Sequence, residues 1–129
     1  MNYFWVGIGG IFGALSRYAV SLIIAPTGMI PYHTLTANFL GCYVLGLLVF
    51  LNRWRSSNLR LAVTIGFMGS FTTFSTFSLE TANLIKQGYY IPASFYAIGS
   101  AAGGVLLAAL GMLTARLIDD QKSTTEVGK

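Results

Sequence analysis

The sequence predicts an all-α integral membrane protein with four membrane-spanning helices, the third of them broken mid-membrane. Three observations predict it. Only 9% of the 129 residues are charged (Lys+Arg 8, Asp+Glu 4), against roughly 25% in an ordinary soluble domain. Hydrophobic residues make up 54%, and a globule this small would lack the polar surface that water demands. The charges are also clustered. Arg53, Arg55 and Arg60 lie in one short segment, Arg116, Asp119, Asp120, Lys122, Glu126 and Lys129 close the chain, and only Arg17, Glu80 and Lys86 remain for everything else. The same composition excludes a disordered chain. A net charge of +4 does not mark a nucleic-acid binder, because the basic residues form no stripe interleaved with exposed polar ones. The lone Cys42 forms no intrachain disulfide.

A helix needs about 20 apolar residues to cross the bilayer core. Residues 3–25 form the first span, stopped by Pro26-Thr27-Gly28. No basic region precedes it and no small-x-small cleavage site follows, so this helix is expected to stay in the mature protein. The second span covers 33–52. Arg53-Trp54-Arg55-Ser56-Ser57-Asn58 is a polar connection, with Trp54 as an interfacial anchor. The third span runs over 60–85 and ends near Lys86-Gln87-Gly88. Tyr89 and Tyr90 read as interfacial aromatics, and Pro92 suits the first turn of a fourth span over 92–117. Residues 118–129 are expected to be a polar, frayed tail. Four spans put both termini on one side, together with Arg53, Arg55, Arg60, Arg116, Lys122 and Lys129. Only Lys86 and Arg17 belong to the other, which favours cytoplasmic termini in a cell membrane. Gly9 and Gly13, with Gly10 and Ala14 beside them, and Gly99 with Gly103 form small-residue ridges for close helix packing.

No constellation of catalytic residues is present. There is one histidine (His33), the sole adjacent carboxylate pair is Asp119-Asp120, and nothing sets a base beside a nucleophile. The informative groups are those that cost free energy in hydrocarbon. Arg17, within span one, either snorkels to the interface or supplies a positive charge to an aqueous vestibule. Asn38 shares a helix face with Thr34 and either bonds across a helix interface or faces a polar path. Span three is richer in such groups. Gly66 through Ser78 sets Gly, Ser and Thr, including the tandem Thr72-Thr73, in mid-membrane, where they are poor helix formers. A break over 69–73 would free carbonyl oxygens, which are good cation ligands. Phe74 and Phe77 follow on one face of the resumed helix, with Ser75 and Ser78 beside them. The positive edges of two phenyl rings can hold a small anion without trapping it.

Four stretches together carry a family resemblance. The first helix has Gly9-Gly10-Ile11-Phe12-Gly13-Ala14-Leu15-Ser16-Arg17-Tyr18; the second has Asn38-Phe39-Leu40-Gly41, with Thr34 four residues earlier. The third has Gly69-Ser70-Phe71-Thr72-Thr73-Phe74-Ser75-Thr76-Phe77-Ser78 followed by Glu80, and the fourth has Tyr96 with Gly99-Ser100. These stretches resemble the signatures of the CrcB/Fluc fluoride channels, and the third is the specific one. The resemblance implies an antiparallel, dual-topology dimer with two fluoride pores at its interface. It implies Phe74 and Phe77 as ring-edge ligands and Asn38 as an amide donor, with Ser75, Thr76 and Ser78 as polar contacts. Glu80, Tyr96 and Ser100 would belong to the polar track and aromatic box, and Arg17 and Thr34 to the vestibule. It further implies a structural, non-transported Na⁺ on the Gly69 and Thr72 main-chain carbonyls of both subunits. The uneven Lys/Arg count leaves two pairings open, a homodimer, which is favoured, and a heterodimer with an oppositely inserted homologue. Two other classes stand beside the channel: a small multidrug-type four-helix exporter, which would need a carboxylate where span one carries Arg17, and a non-transporting membrane scaffold.

Overall fold

A computed structural model describes residues 2–24, 28–50 and 56–127, with the side chains of residue 2 and of 120–127 left aside. Pro26, Thr27, Arg53, Trp54 and Arg55, which carry the expected stop and the expected polar connection, lie outside the described residues. Every described element is helical: α1 (Asn2–Ile23), α2 (Tyr32–Phe50), α3 (Ser57–Leu61), a π-helical stretch (Ala62–Phe67), α4 (Met68–Phe71), α5 (Phe74–Lys86) and α6 (Tyr90–Val127). Three of them, α1, α2 and α6, are long and apolar enough to cross a membrane. The chain between α2 and α6 is divided into shorter pieces that together cover the third expected span.

Backbone approach sets the packing. α6 lies along α2, and α1 lies along the π-helical stretch and α4. A Cβ on Gly9 would collide with the Ala62 carbonyl, one on Gly13 with the Phe67 carbonyl, and one on Gly66 with the Val6 carbonyl, so these contacts exist only because the side chains are absent. Between α2 and α6 the same holds for Gly46 against Ala108 and Gly111 against Tyr43 and Leu47, while Gly103 seats the Phe39 ring. In lipid such close packing is the main source of helix association, because tails are as apolar as the side chains they replace. Of the two expected ridges, the first packs as read. In the second Gly99 meets nothing within 4 Å of an added Cβ. The α2–α6 contact rests instead on Gly46, Gly103 and Gly111.

The third expected span bends twice, for different reasons. Thr64 turns its Oγ1 back onto the Arg60 carbonyl at 2.7 Å, competing with the regular ladder where the coil widens into the π form. The helix then stops at Thr72 (φ −79°, ψ 156°) and Thr73 (φ −146°, ψ 122°), two β-branched residues at ease in extended geometry. Thr73 at once caps the next helix, its Oγ1 accepting from the Thr76 N–H at 3.2 Å. α5 ends in a Schellman turn on Gly88 (φ 82°). There Gly88 N–H reaches the Ile85 carbonyl at 3.0 Å and Tyr89 N–H the Leu84 carbonyl at 2.9 Å.

Two boundaries differ from expectation. The break occupies Thr72 and Thr73, and Gly69 sits within α4. α6 continues to Val127, past both the expected end at 117 and the expected frayed tail.

Candidate functional site

The helix break organises the polar groups. Asn38, on α2, clamps it: its Nδ2 donates to the Thr73 carbonyl at 3.0 Å and its Oδ1 accepts from the Thr73 N–H at 2.8 Å. The amide thus takes the N–H that extended Thr73 can no longer place in the α4 ladder, and adds a second donor to its carbonyl, which as N-cap already accepts the first bond of α5. Diverting these donors has a second consequence. In a continuous helix the Gly69 carbonyl would receive the Thr73 N–H, and the Thr72 carbonyl the Thr76 N–H. The first donor is spent on Asn38 and the second on Thr73 Oγ1, so the Gly69 and Thr72 carbonyls are among those that lose their ladder donors at the break. Gly69 is exposed, with open space beside it. An all-oxygen donor set of this kind fits a hard cation and not a thiophilic metal. The Thr72 side chain bonds back to the Met68 carbonyl at 2.8 Å, which leaves its own carbonyl as the group on offer.

Phe74 and Phe77 open α5, with ring centroids 5.9 Å apart. They line a cleft of about 320 Å³ together with Asn38, Cys42, Thr72, Thr73 and Ser100. Phe74 is 80% exposed within the chain, whereas Phe77 lies tilted against Tyr96 with ring centroids 5.2 Å apart and packs on the Leu84–Ala93–Tyr96 cluster. The buried Ser100 Oγ has no hydrogen-bond partner among the described residues.

Further along α5 the Glu80 carboxylate accepts two hydrogen bonds and has an imidazole close by. Thr34 Oγ1 reaches Oε1 at 2.8 Å, Tyr96 Oη reaches Oε2 at 2.7 Å, and His33 Nε2 stands 3.4 Å from Oε1. The one carboxylate among the spans is thus held by α2 and α6 together, as an ionisable group in a membrane requires. A separate cavity of about 230 Å³ is lined by Arg17, Tyr18, Ser21, His33, Thr34, Thr73 and Thr76.

The expected site residues therefore divide among neighbouring places. Asn38, Phe74, Phe77, Ser100 and Thr72 share the phenylalanine cleft. Arg17, Thr34 and Thr76 share the cavity on the other side of Thr73. Glu80 accepts from both Tyr96 and Thr34, and Thr34 joins the two groups. Ser75 approaches Thr73 Oγ1 at 3.4 Å, and Ser78 lines neither space. Two residues carry more than their sequence positions suggested. Thr73 is both cap and clamp partner, and its signal was the β-branched pair ahead of a helix. His33 touches Glu80, and its signal was a lone imidazole beside Thr34.

Comparison with known proteins places the chain in a family. The family described as "CrcB-like protein, Camphor Resistance (CrcB)" matches residues 4–112. The protein named Fluoride-specific ion channel FluC of Bordetella pertussis (strain Tohama I) is 40% identical over 122 residues, covering 92% of this chain and 94% of its own length. Fluoride-specific ion channel FluC 2 of Moorella thermoacetica is 43% identical over 118 residues, covering 89% and 97%. Fluoride-specific ion channel FluC 1 of Staphylococcus aureus (strain bovine RF122) is 41% identical over 115 residues, covering 87% and 94%. With a family match across most of its length, and with Asn38, the Thr72-Thr73 break and the Phe74/Phe77 pair meeting in one cleft, this chain belongs to the CrcB family.

Proposed function

We propose that the chain is a passive fluoride-selective channel of the cell membrane that lets cytoplasmic fluoride leave and so limits its toxicity. The observation that carries the reading is the identity of about two residues in five with proteins named as fluoride-specific ion channels, over nearly the full length of both. The chemistry of the cleft agrees. A small, strongly hydrated anion gives up water only to donors that nearly replace it, and conducts only if no donor holds it fast. Phenyl edges at Phe74 and Phe77, the second amide hydrogen of Asn38 and the Ser100 hydroxyl are donors of that moderate kind. Thr76, Ser75 and Ser78 add hydroxyls along α5, and Arg17 raises the local potential from its cavity.

In this reading residues 57–86 form one broken third span, giving four per subunit, and a second subunit inserted antiparallel closes the cleft against lipid. The exposure of Phe74 supports such a partner, since a ring edge facing lipid could bind no ion. A homodimer is the simpler arrangement. Relatives numbered FluC 1 and FluC 2 and the uneven Lys/Arg distribution make pairing with a homologue the alternative. The Gly69 and Thr72 carbonyls, with the same pair from the partner, would hold a structural Na⁺ that is not transported. When bound, that ion supplies a fixed positive charge to the pore region. Glu80, held by Thr34 and Tyr96, belongs to the track beyond the phenylalanines.

The test is reconstitution of the purified chain in liposomes loaded with potassium fluoride, followed with a fluoride electrode after valinomycin. A matched potassium chloride experiment runs beside it. Rapid fluoride loss without chloride loss is expected. Absence of fluoride loss, both alone and with a co-expressed homologue, overturns the reading. Replacing Na⁺ by N-methylglucamine throughout purification and assay is expected to lower fluoride flux. Undiminished flux in sodium-free medium removes the cation from the proposal.

A further inference from the structure

His33 has so far been placed only beside Glu80, and its two ring nitrogens are unequally satisfied. Its Nε2 faces Glu80 Oε1 at 3.4 Å, while its Nδ1 is buried with no hydrogen-bond partner. The ring also lines the cavity that holds Arg17, Thr34, Thr73 and Thr76. A neutral imidazole here has one nitrogen without a partner whichever tautomer it adopts. A protonated ring carries donors on both nitrogens. One meets the Glu80 carboxylate, and the other still lacks an acceptor from the protein. An anion in the cavity would supply that acceptor.

We propose that His33 makes anion conduction by this chain proton-sensitive, with fluoride current rising as the imidazole takes up a proton from the surrounding water. The inference rests on the channel reading above and adds a regulation to it. Two effects act in the same direction. Protonation pairs Glu80 with a cation, so the one carboxylate on the polar track ceases to repel an approaching anion. It also gives the Arg17 cavity a second positive charge.

By linkage the coupling is reciprocal: an anion in the cavity favours the charged imidazole as much as the charged imidazole favours the anion. The groups that face His33 across the packed elements are Glu80 from α5, Tyr96 from α6 through that carboxylate, and Arg17 and Tyr18 from α1. The direction suits the load, because acid outside the cell drives more fluoride inward as the neutral acid.

Fluoride current across planar bilayers tests this, since neutral hydrogen fluoride carries no current. The full chain is recorded in symmetric fluoride at about pH 7.5 and about pH 5.5. The current is expected to rise roughly threefold or more on acidification, the scale of a unit charge acting through a partly screened cavity. His33→Asn and His33→Gln, checked for an unaltered elution profile, are expected to lose the dependence. A wild-type current equal at both pH values overturns the inference and leaves the channel reading standing. A dependence that survives both substitutions also overturns it and assigns the titration to another group. No fluoride current at any pH rejects the channel reading itself, and the inference with it.

Discussion

Phe74→Ile abolishes most of the fluoride flux while leaving the protein folded: that is the expected result, and the contrast between the two readouts is what makes it informative. Isoleucine keeps the apolar bulk and removes the ring edge. If that edge contributes about 1.4 kcal/mol to lowering the barrier, flux falls roughly tenfold. Stability within the subunit should barely move, because Phe74 is 80% exposed there and exposed substitutions usually change stability by less than about 0.5 kcal/mol. Phe77→Ile is the control with the opposite expectation. Its ring packs on Tyr96 and the Leu84 cluster, so both flux and thermal stability should fall. Liposome flux beside thermal unfolding in detergent reads both variants. Wild-type flux from well-folded Phe74→Ile protein would remove that ring from the permeation path.

What the sequence made legible, and what it hid, follows from the range of the interactions concerned. Composition and hydropathy report the solvent, so the all-helical membrane class and the three long apolar helices were readable. Local chemistry reports turns, so the Gly88 stop and the break at tandem threonines were readable too. The break was narrower than expected because Gly69 and Ser70 remain in α4, with Thr72 bonding back to Met68. Polarity beyond position 117 does not end α6. It marks where a helix leaves hydrocarbon, and residues such as Lys122 and Glu126 favour continued helix in water. The site was legible as a set of residue types, but their partners were not. No local rule sends the Asn38 amide to backbone 35 positions away, or brings Thr34, His33 and Tyr96 to one carboxylate. Those pairings exist because α2 and α6 pack through Gly46, Gly103 and Gly111, which fixes where both helices stand relative to α5.

The Asn38 clamp gives the other large effect, and here stability and flux should fall together. Asn38→Leu removes both bonds to Thr73 and leaves its N–H and carbonyl facing an alkyl group, while Thr73 itself is 8% exposed. The carbonyl keeps its bond within α5 as N-cap, so the N–H is the group left unpaired, and the loss is roughly 1–3 kcal/mol. That is large enough to be read as a drop in melting temperature. The break would then re-form the helix or collapse. Either change returns donors to the Gly69 and Thr72 carbonyls or moves them, and turns Phe74 and Phe77 away from their present cleft. Asn38→Asp separates the two roles. It keeps an acceptor for the Thr73 N–H but sets a carboxylate oxygen against the Thr73 carbonyl and a negative charge on an anion path, so flux should suffer more than stability. Arg17→Ala supplies the scale. Its charge acts through space across a partly wet cavity, so a loss of only about two- to fivefold in flux is expected, well short of either Asn38 variant. If Asn38→Leu instead melts and conducts like the wild type, the amide neither holds the break nor meets the ion, and the architecture of the site must rest on Thr73 alone.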